Sequence, residues 1–182
     1  MRTTSPSPSH VALRRCTPED VATIASLGAR FFVQAYGVTH PEPELSRYLA
    51  SAYSLDTIAA AIGGDGSMVI VAEDSNGAPV GYSHIWATDE IPDGVEGSRA
   101  FEIVRFYVDA AVQGEGIGAA LMTHSCDLAR QAAADVIWLQ VWSQAPWAIG
   151  FYRRMGFSIV GKKAFHFGER VDEDHVMSRP LA

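Results

Sequence analysis

Apolar positions change period several times along the chain, and each change marks an element. Residues 11–15 alternate like a short strand. Thr17, Pro18, Glu19 and Asp20 then open a helix: Thr17 can cap, Pro18 fits the first turn, and the two acids face the positive end of the helix dipole. Val21, Ile24, Ala25, Leu27 and Phe31 recur at helical spacing, which predicts a helix to about Tyr36 stopped by Gly37. Further helices are expected over 44–53 and 56–62, the second capped by Ser54 and ended by Gly63 and Gly64. Residues 68–73 and 80–87 are rich in β-branched and aromatic side chains and flank a turn in which Asn76-Gly77 signals a hairpin. An acidic loop over 88–99 leads to a third strand over 100–108. Beyond a glycine-bearing stretch at 113–118, Ile117, Leu121, His124 and Leu128 line one face of a helix expected to end near Ala134. Residues 136–142 are almost all apolar, the mark of a strand buried on both faces. A helix over 146–155 closed by Gly156, then strands over 157–167 and 174–179, complete the pattern.

The sum is one α/β (α+β) domain, a mixed central β-sheet with helices on its faces. Residues 1–10 form a polar, proline-broken lead expected to be disordered, and the domain covers 11–182. A length of 182 residues suits a single domain, and 48% hydrophobic with 19% charged residues excludes the disordered and collagen-like classes. Fourteen Lys and Arg against 21 Asp and Glu give a net charge of −7, which argues against nucleic acid and for a small cationic partner. No stretch approaches the roughly 20 apolar residues that cross a bilayer, and the first residues lack a secretory core, so no membrane association and a cytoplasmic location are expected. A homodimer is compatible with the sequence. Cys16 and Cys126 stand far apart, which suggests small core residues rather than a disulfide or thiolate zinc site. No His pair has the close spacing of a metal site, so no metal is expected.

Gln113, Gly114, Glu115, Gly116, Ile117, Gly118 and Ala119 fall between a strand and a helix, where unpaired N–H groups and a helix dipole converge into an anion site. The plain structural reading is a flexible turn. A Walker A loop is excluded because no Gly-Lys-Ser/Thr follows. A dinucleotide fingerprint is formally met by Gly114, Gly116 and Ala119, but Asp109 to Gln113 separate it from the strand, and the next strand ends at Trp142-Ser143-Gln144 with no ribose-binding acid.

Phe106-Tyr107-Val108 followed by Gln113-x-x-Gly116-x-Gly118 resembles motif A of the GNAT superfamily of N-acetyltransferases, and Ala148 to Phe157 resembles its motif B, in the expected order. Stretches 29–32, 48–53 and 137–142, with His166-Phe167-Gly168 and Val176-Met177, are similar to the bacterial PaiA-type polyamine N-acetyltransferases. The resemblance implies a GNAT fold with a coenzyme A cleft between two central strands, and acetyl-CoA as cosubstrate. It implies an acyltransferase that moves acetyl to a primary amine of a small molecule, with a polyamine as the class the PaiA-type resemblance suggests, by direct attack in a ternary complex. It implies that the backbone of Phe106, Tyr107 and Val108 holds the pantetheine arm, that residues 113–119 bind the diphosphate, and that Tyr152 is the general acid. The family commonly has Asn where this chain has Ala145; Gln144, Ser143 or the backbone could replace that contact.

For the base, period-two alternation puts Glu102 on the face of Val104, Phe106 and Val108, with Arg105 pointing away. A carboxylate there can act directly, through water, or by attracting the ammonium, and a paired structural carboxylate is the alternative. His84, His124, His166 and His175 are further candidates, His124 being the one expected in the core. Asp89, Glu90, Asp93 and Glu96 in the loop, Glu42 and Glu44 near the helices, and Phe31, Tyr36 and Trp86 as walls are candidates for the acceptor pocket. A catalytically silent acetyl-CoA-binding module and a dinucleotide-dependent oxidoreductase are the alternatives.

Overall fold

Seven strands and five α-helices form from these patterns in the computed structural model, which describes residues 11–39, 42–168 and 170–181. The lead over 1–10 lies outside the described residues. In chain order the elements are β1 (Ala12–Arg15), α1 (Val21–Tyr36), α2 (Glu44–Ala52), α3 (Leu55–Gly63), β2 (Ser67–Glu73), β3 (Pro79–Thr88), β4 (Ala100–Val108), α4 (Ile117–Gln131), β5 (Val136–Trp142), α5 (Pro146–Arg154), β6 (Ser158–Phe167) and β7 (Arg170–Pro180). The local signals account for the boundaries. The Ser54 hydroxyl accepts from the Thr57 N–H at 3.1 Å, and Asp74 accepts from the N–H groups of Asn76 and Ala78 at 2.8 and 2.9 Å. Pro18–Asp20 is a single 3-10 turn rather than the first turn of α1, fixed by the Thr17 N–H donating to Asp20 Oδ2 at 2.7 Å.

One seven-stranded sheet runs β1-β2-β3-β4-β5-β7-β6. Its described pairs are antiparallel except β4 with β5, which α4 joins as a crossover. Both faces are covered. Met68, Ile70, Ile85, Phe101, Ile103 and Leu139 pack against Leu121, Met122 and Cys126 of α4, while Val69, Val71 and Tyr82 pack against Ile24, Leu27 and Phe31 of α1 and Ile58 of α3. β2 is therefore buried on both sides from Ser67 to Ala72.

Three further expectations are corrected. α4 stops at Gln131, short of Ala134, because Ala133 turns left-handed (φ 62°) and its N–H bonds to the Arg130 carbonyl. The buried stripe of that helix is Leu121, Met122, Ser125, Cys126 and Ala129, which leaves His124 half-buried at its margin. The last strand begins at Arg170 rather than 174, lengthening the β6–β7 hairpin.

The central departure from ideal pairing lies in β4. His84 pairs with Arg105 and Ile85 with Ile103, so Val104 is an extra residue, a β-bulge that resets the alternation of the strand. Pairing of β4 with β5 runs from Ala100 to Ile103 against Val136 to Leu139, while β4 continues to Val108. Beyond Ile103 the two parallel strands part, and the site is built in that opening.

Candidate active site

A groove of about 880 Å³ occupies one side of the opening. Phe106, Tyr107 and Val108 form one wall, the turn and start of α4 a second, Ala148, Phe151 and Tyr152 of α5 a third, and Phe31, Gln34, Ala35 and Tyr36 of α1 a fourth. Arg30 of α1 holds Asp109 at 3.0 Å, just past the end of β4, which ties the helix across the groove. Gly114 and Gly116 have φ of 89° and 85°, in the left-handed region that glycine enters without cost. Gly116 precedes α4 with no side-chain cap, so the first N–H groups of a 15-residue helix face the turn without side-chain acceptors. Gln113 donates from Nε2 to the Val108 carbonyl at 3.2 Å, pinning the turn to the strand. The donor set fits a diphosphate: backbone N–H groups and a helix dipole, with glycines that let the backbone come close.

Of the residues singled out for the cosubstrate, Phe106, Tyr107, Val108, Gln113, Gly114, Gly116, Gly118 and Ala119 line this groove. Glu115 is not on its wall, and Ile117 turns inward, 4% exposed, against Ala72 and Val80. Ala145 is fully buried; its N–H donates to the Trp142 carbonyl and its carbonyl accepts from Ile149, both at 3.0 Å. The backbone groups of Ala145 are thus used in starting α5, and Ser143 and Gln144 do not line the groove either.

Tyr152 lies in the groove within an aromatic group, with ring centroids 5.4 Å from Phe151, 6.3 Å from Phe106 and 5.9 Å from Phe157. Burial pushes its phenol well above the ordinary tyrosine range, and nearby Tyr36 acts in the same direction. The group keeps its proton throughout the neutral range.

Glu102 is on the other face of β4. Because of the bulge at Val104, Glu102 shares its side with Arg105 and Tyr107, while Phe101 and Ile103 share theirs with Phe106; simple alternation gave the reverse. Glu102 lines a second cavity of about 260 Å³ with Phe32, Tyr36, Tyr48, Arg105, Tyr107, Gln140, Trp142, Phe165, Asp172 and Asp174. Tyr36 and Tyr107 line both cavities, so the two adjoin at these side chains. Burial raises the Glu102 carboxyl, Lys163 opposes the rise and Glu90 adds to it. Asp174, 5% exposed, accepts from Gln140 Nε2 at 3.3 Å. The Arg105 guanidinium donates to the Ala52 carbonyl at 2.7 Å and lies 5.0 Å from the Tyr53 ring.

Asp172 and Asp174 were not anticipated from the sequence. Their spacing of two was the available signal, because the pairing of Trp142 with Asp174 and of Phe165 with Asp172 sets both on one face. The acids that were anticipated lie elsewhere. Asp89, Glu90, Asp93 and Glu96 line neither cavity, Glu42 accepts from the Ser46 hydroxyl at 2.6 Å, and Glu44 pairs with Arg47 at 3.1 Å. Trp86 is 44% exposed and outside both cavities, whereas Phe31 and Tyr36 are walls. His84, His124, His166 and His175 line neither. His84 is buried beside Ser67 (Nε2 to Oγ 2.9 Å), and burial with Arg105 pushes its pKa down to about 4. Among the described residues no group of three or more His, Cys, Asp or Glu could hold a metal ion, and no helix is long and apolar enough to cross a membrane.

Comparison with known proteins bears on this arrangement. The profile of the acetyltransferase (GNAT) family matches residues 30–157. An uncharacterized N-acetyltransferase of Lactobacillus delbrueckii subsp. lactis is 21% identical over 171 residues, 94% of this chain and 98% of its own. The streptothricin acetyltransferase of Streptomyces lavendulae is 39% identical over 66 residues, 36% of this chain and 35% of that protein. Among solved structures, the PaiA N-acetyltransferase of Thermoplasma acidophilum in complex with coenzyme A superimposes with a TM-score of 0.74 at 16% identity, covering 93% of this chain and 98% of that one. A nourseothricin acetyltransferase superimposes with a TM-score of 0.55 at 25% identity over 64% of this chain and 66% of that chain.

Proposed function

The chain belongs to the acetyltransferase (GNAT) family, and on that premise we propose that it transfers acetyl from acetyl-CoA to a primary amine of a small cationic molecule, with a polyamine as the acceptor class, by direct attack in a ternary complex. The observation that carries this reading is the parting of β4 and β5 after Ile103, with a groove and an acid-bearing cavity sharing Tyr36 and Tyr107. The first serves the donor and the second the acceptor.

Acetyl-CoA supplies an acyl group activated as a thioester. The N–H groups at the start of α4 bind its diphosphate, and the β5-side edge of β4 past Ile103 offers main-chain donors and acceptors to its amide-bearing arm. Glu102, Asp172 and Asp174 attract the ammonium of the acceptor, while Tyr48, Trp142 and Phe165 present ring faces to its methylenes. An amine of pKa about 10.4 arrives protonated, so it must lose a proton before it attacks. Glu102 accepts that proton at a carboxylate oxygen, directly or through water, and Tyr152 yields its phenolic proton to the departing sulfur.

The test is release of free thiol from acetyl-CoA across spermidine, spermine, lysine, streptothricin and peptide N-termini. Turnover is expected with the small polycations. Asp174→Asn, which keeps a group able to accept from Gln140, is expected to raise KM for the amine and leave KM for acetyl-CoA unchanged. Coenzyme binding without thiol release on any amine would instead identify a silent binding module. Turnover confined to streptothricin would redirect the acceptor assignment toward the activity named for the Streptomyces relative.

A further inference from the structure

We infer that the groove-lining face of α5 reads the nucleotide end of the donor, with Arg154 pairing with the 3′-phosphate of coenzyme A and Trp147 covering its adenine. This goes beyond the transfer reaction but rests on the groove being the donor site. Three observations lead to it. Arg154 is the one charged side chain among the described residues that line the groove. It is exposed and has no ion pair among the described residues, and of the arginines in that state it is the one that lines the groove. Trp147 is 57% exposed and lines the same groove seven residues earlier, so with Phe151 it forms a row at i, i+4 and i+7 along one face of the helix.

The row has the chemistry of a nucleotide wall. An indole left more than half in water is an unusual use of a large apolar surface, and a planar heterocycle is the partner that covers it best. A guanidinium without a carboxylate in an otherwise uncharged groove is the natural partner for a phosphate, through paired N–H donors. Seven residues of helix set the two side chains about 10 Å apart along the axis. The helix N-terminus across the groove already accounts for a diphosphate, so Arg154 answers to a separate anionic group. Coenzyme A carries such a group on its ribose; 3′-dephospho-coenzyme A lacks it.

Titration calorimetry on the whole chain with coenzyme A, 3′-dephospho-coenzyme A and pantetheine tests the assignment. The wild type is expected to bind coenzyme A roughly fivefold more tightly than the dephospho form, the size of one partly screened charge pair. Arg154→Gln should remove that preference by weakening coenzyme A alone, with the unchanged dephospho-coenzyme A affinity reporting an intact fold. For the second residue, coenzyme A should quench tryptophan fluorescence and pantetheine should not, and Trp147→Phe should abolish the quench. Equal binding of the two nucleotides by the wild type, or a preference that survives Arg154→Gln, would overturn the phosphate assignment. A quench that survives Trp147→Phe would overturn the adenine assignment. Failure of the wild type to bind any of the three would overturn the donor site itself and this inference with it.

Discussion

Tyr152 and Glu102 are both shifted upward by burial, with opposite consequences for their chemistry. A phenol held protonated is a ready acid, so kcat should show no alkaline decline from Tyr152 up to about pH 10, the ordinary tyrosine value. Tyr152→Phe should lower kcat by about a hundredfold or more with little change in KM for acetyl-CoA, as read by steady-state kinetics. A carboxyl raised above its ordinary value is a better base but a costlier anion. The acid limb of kcat should therefore lie above the usual carboxylate range, and Glu102→Gln should lower kcat and remove that limb. The stability sign follows from the same shift. The folded state binds the Glu102 proton more tightly than the unfolded state, so stability falls as pH rises from the unfolded pKa through the folded one. Glu102→Gln should accordingly raise Tm at pH 7 while lowering turnover, and an unchanged or lower Tm would contradict the burial argument. At Gly116 the backbone decides: Gly116→Ala places a Cβ at φ 85°, a cost of about 1–2 kcal/mol by thermal unfolding, accompanied by weaker coenzyme binding.

At the scale of elements, α4 and α5 face one another across the groove and touch at Gly118, where an added Cβ would stand 3.3 Å from the Phe151 ring. Gly118→Ala gains about 1 kcal/mol of helix propensity. Phe151 is half-buried on the groove side and can yield, so Tm should hold or rise while the narrowed groove binds coenzyme A more weakly; tighter binding would show that the helices do not set the width. The start of α4, the turn before it and both ends of α5 were legible in the sequence because each is marked by local chemistry: glycines at left-handed positions, proline at the start of α5, Gly156 at its end. The side of β4 on which Glu102 lies was not legible. A bulge adds one residue to the strand, and nothing in Ile103-Val104-Arg105 distinguishes the extra residue from its neighbours. Asp172 and Asp174 escaped for a related reason, since their place beside Trp142 and Phe165 depends on pairing between strands distant in sequence. Ala145 stood where the family pattern suggested a ligand contact, and only packing shows it sealed at the base of α5.

For the whole molecule, the proposed reaction asks a net charge of −7 to serve a polyanionic donor and a cationic acceptor at once. The long-range field favours the acceptor and opposes the donor, and at 0.15 M salt it fades over about 8 Å. Near contact the order changes for the donor, because the start of α4 offers it positive partial charge where the global field does not. In the proposed reaction the acceptor meets Glu102, Asp172 and Asp174 in the second cavity, where Arg105 is the one cationic side chain among the described lining residues. The two substrates should therefore respond differently to ionic strength. Raising salt from about 20 to 200 mM should increase KM for spermidine several-fold, since global and local attraction are screened together. KM for acetyl-CoA should change much less, because screening weakens its contacts at the groove while relieving repulsion by the rest of the protein. Measured as paired KM values at fixed pH, parallel increases for both substrates would show that the donor feels local attraction alone. An amine KM insensitive to salt would mean that the carboxylates of the second cavity do not meet the acceptor as ions, and would move the recognition of the amine to the aromatic rings of Tyr48, Trp142 and Phe165.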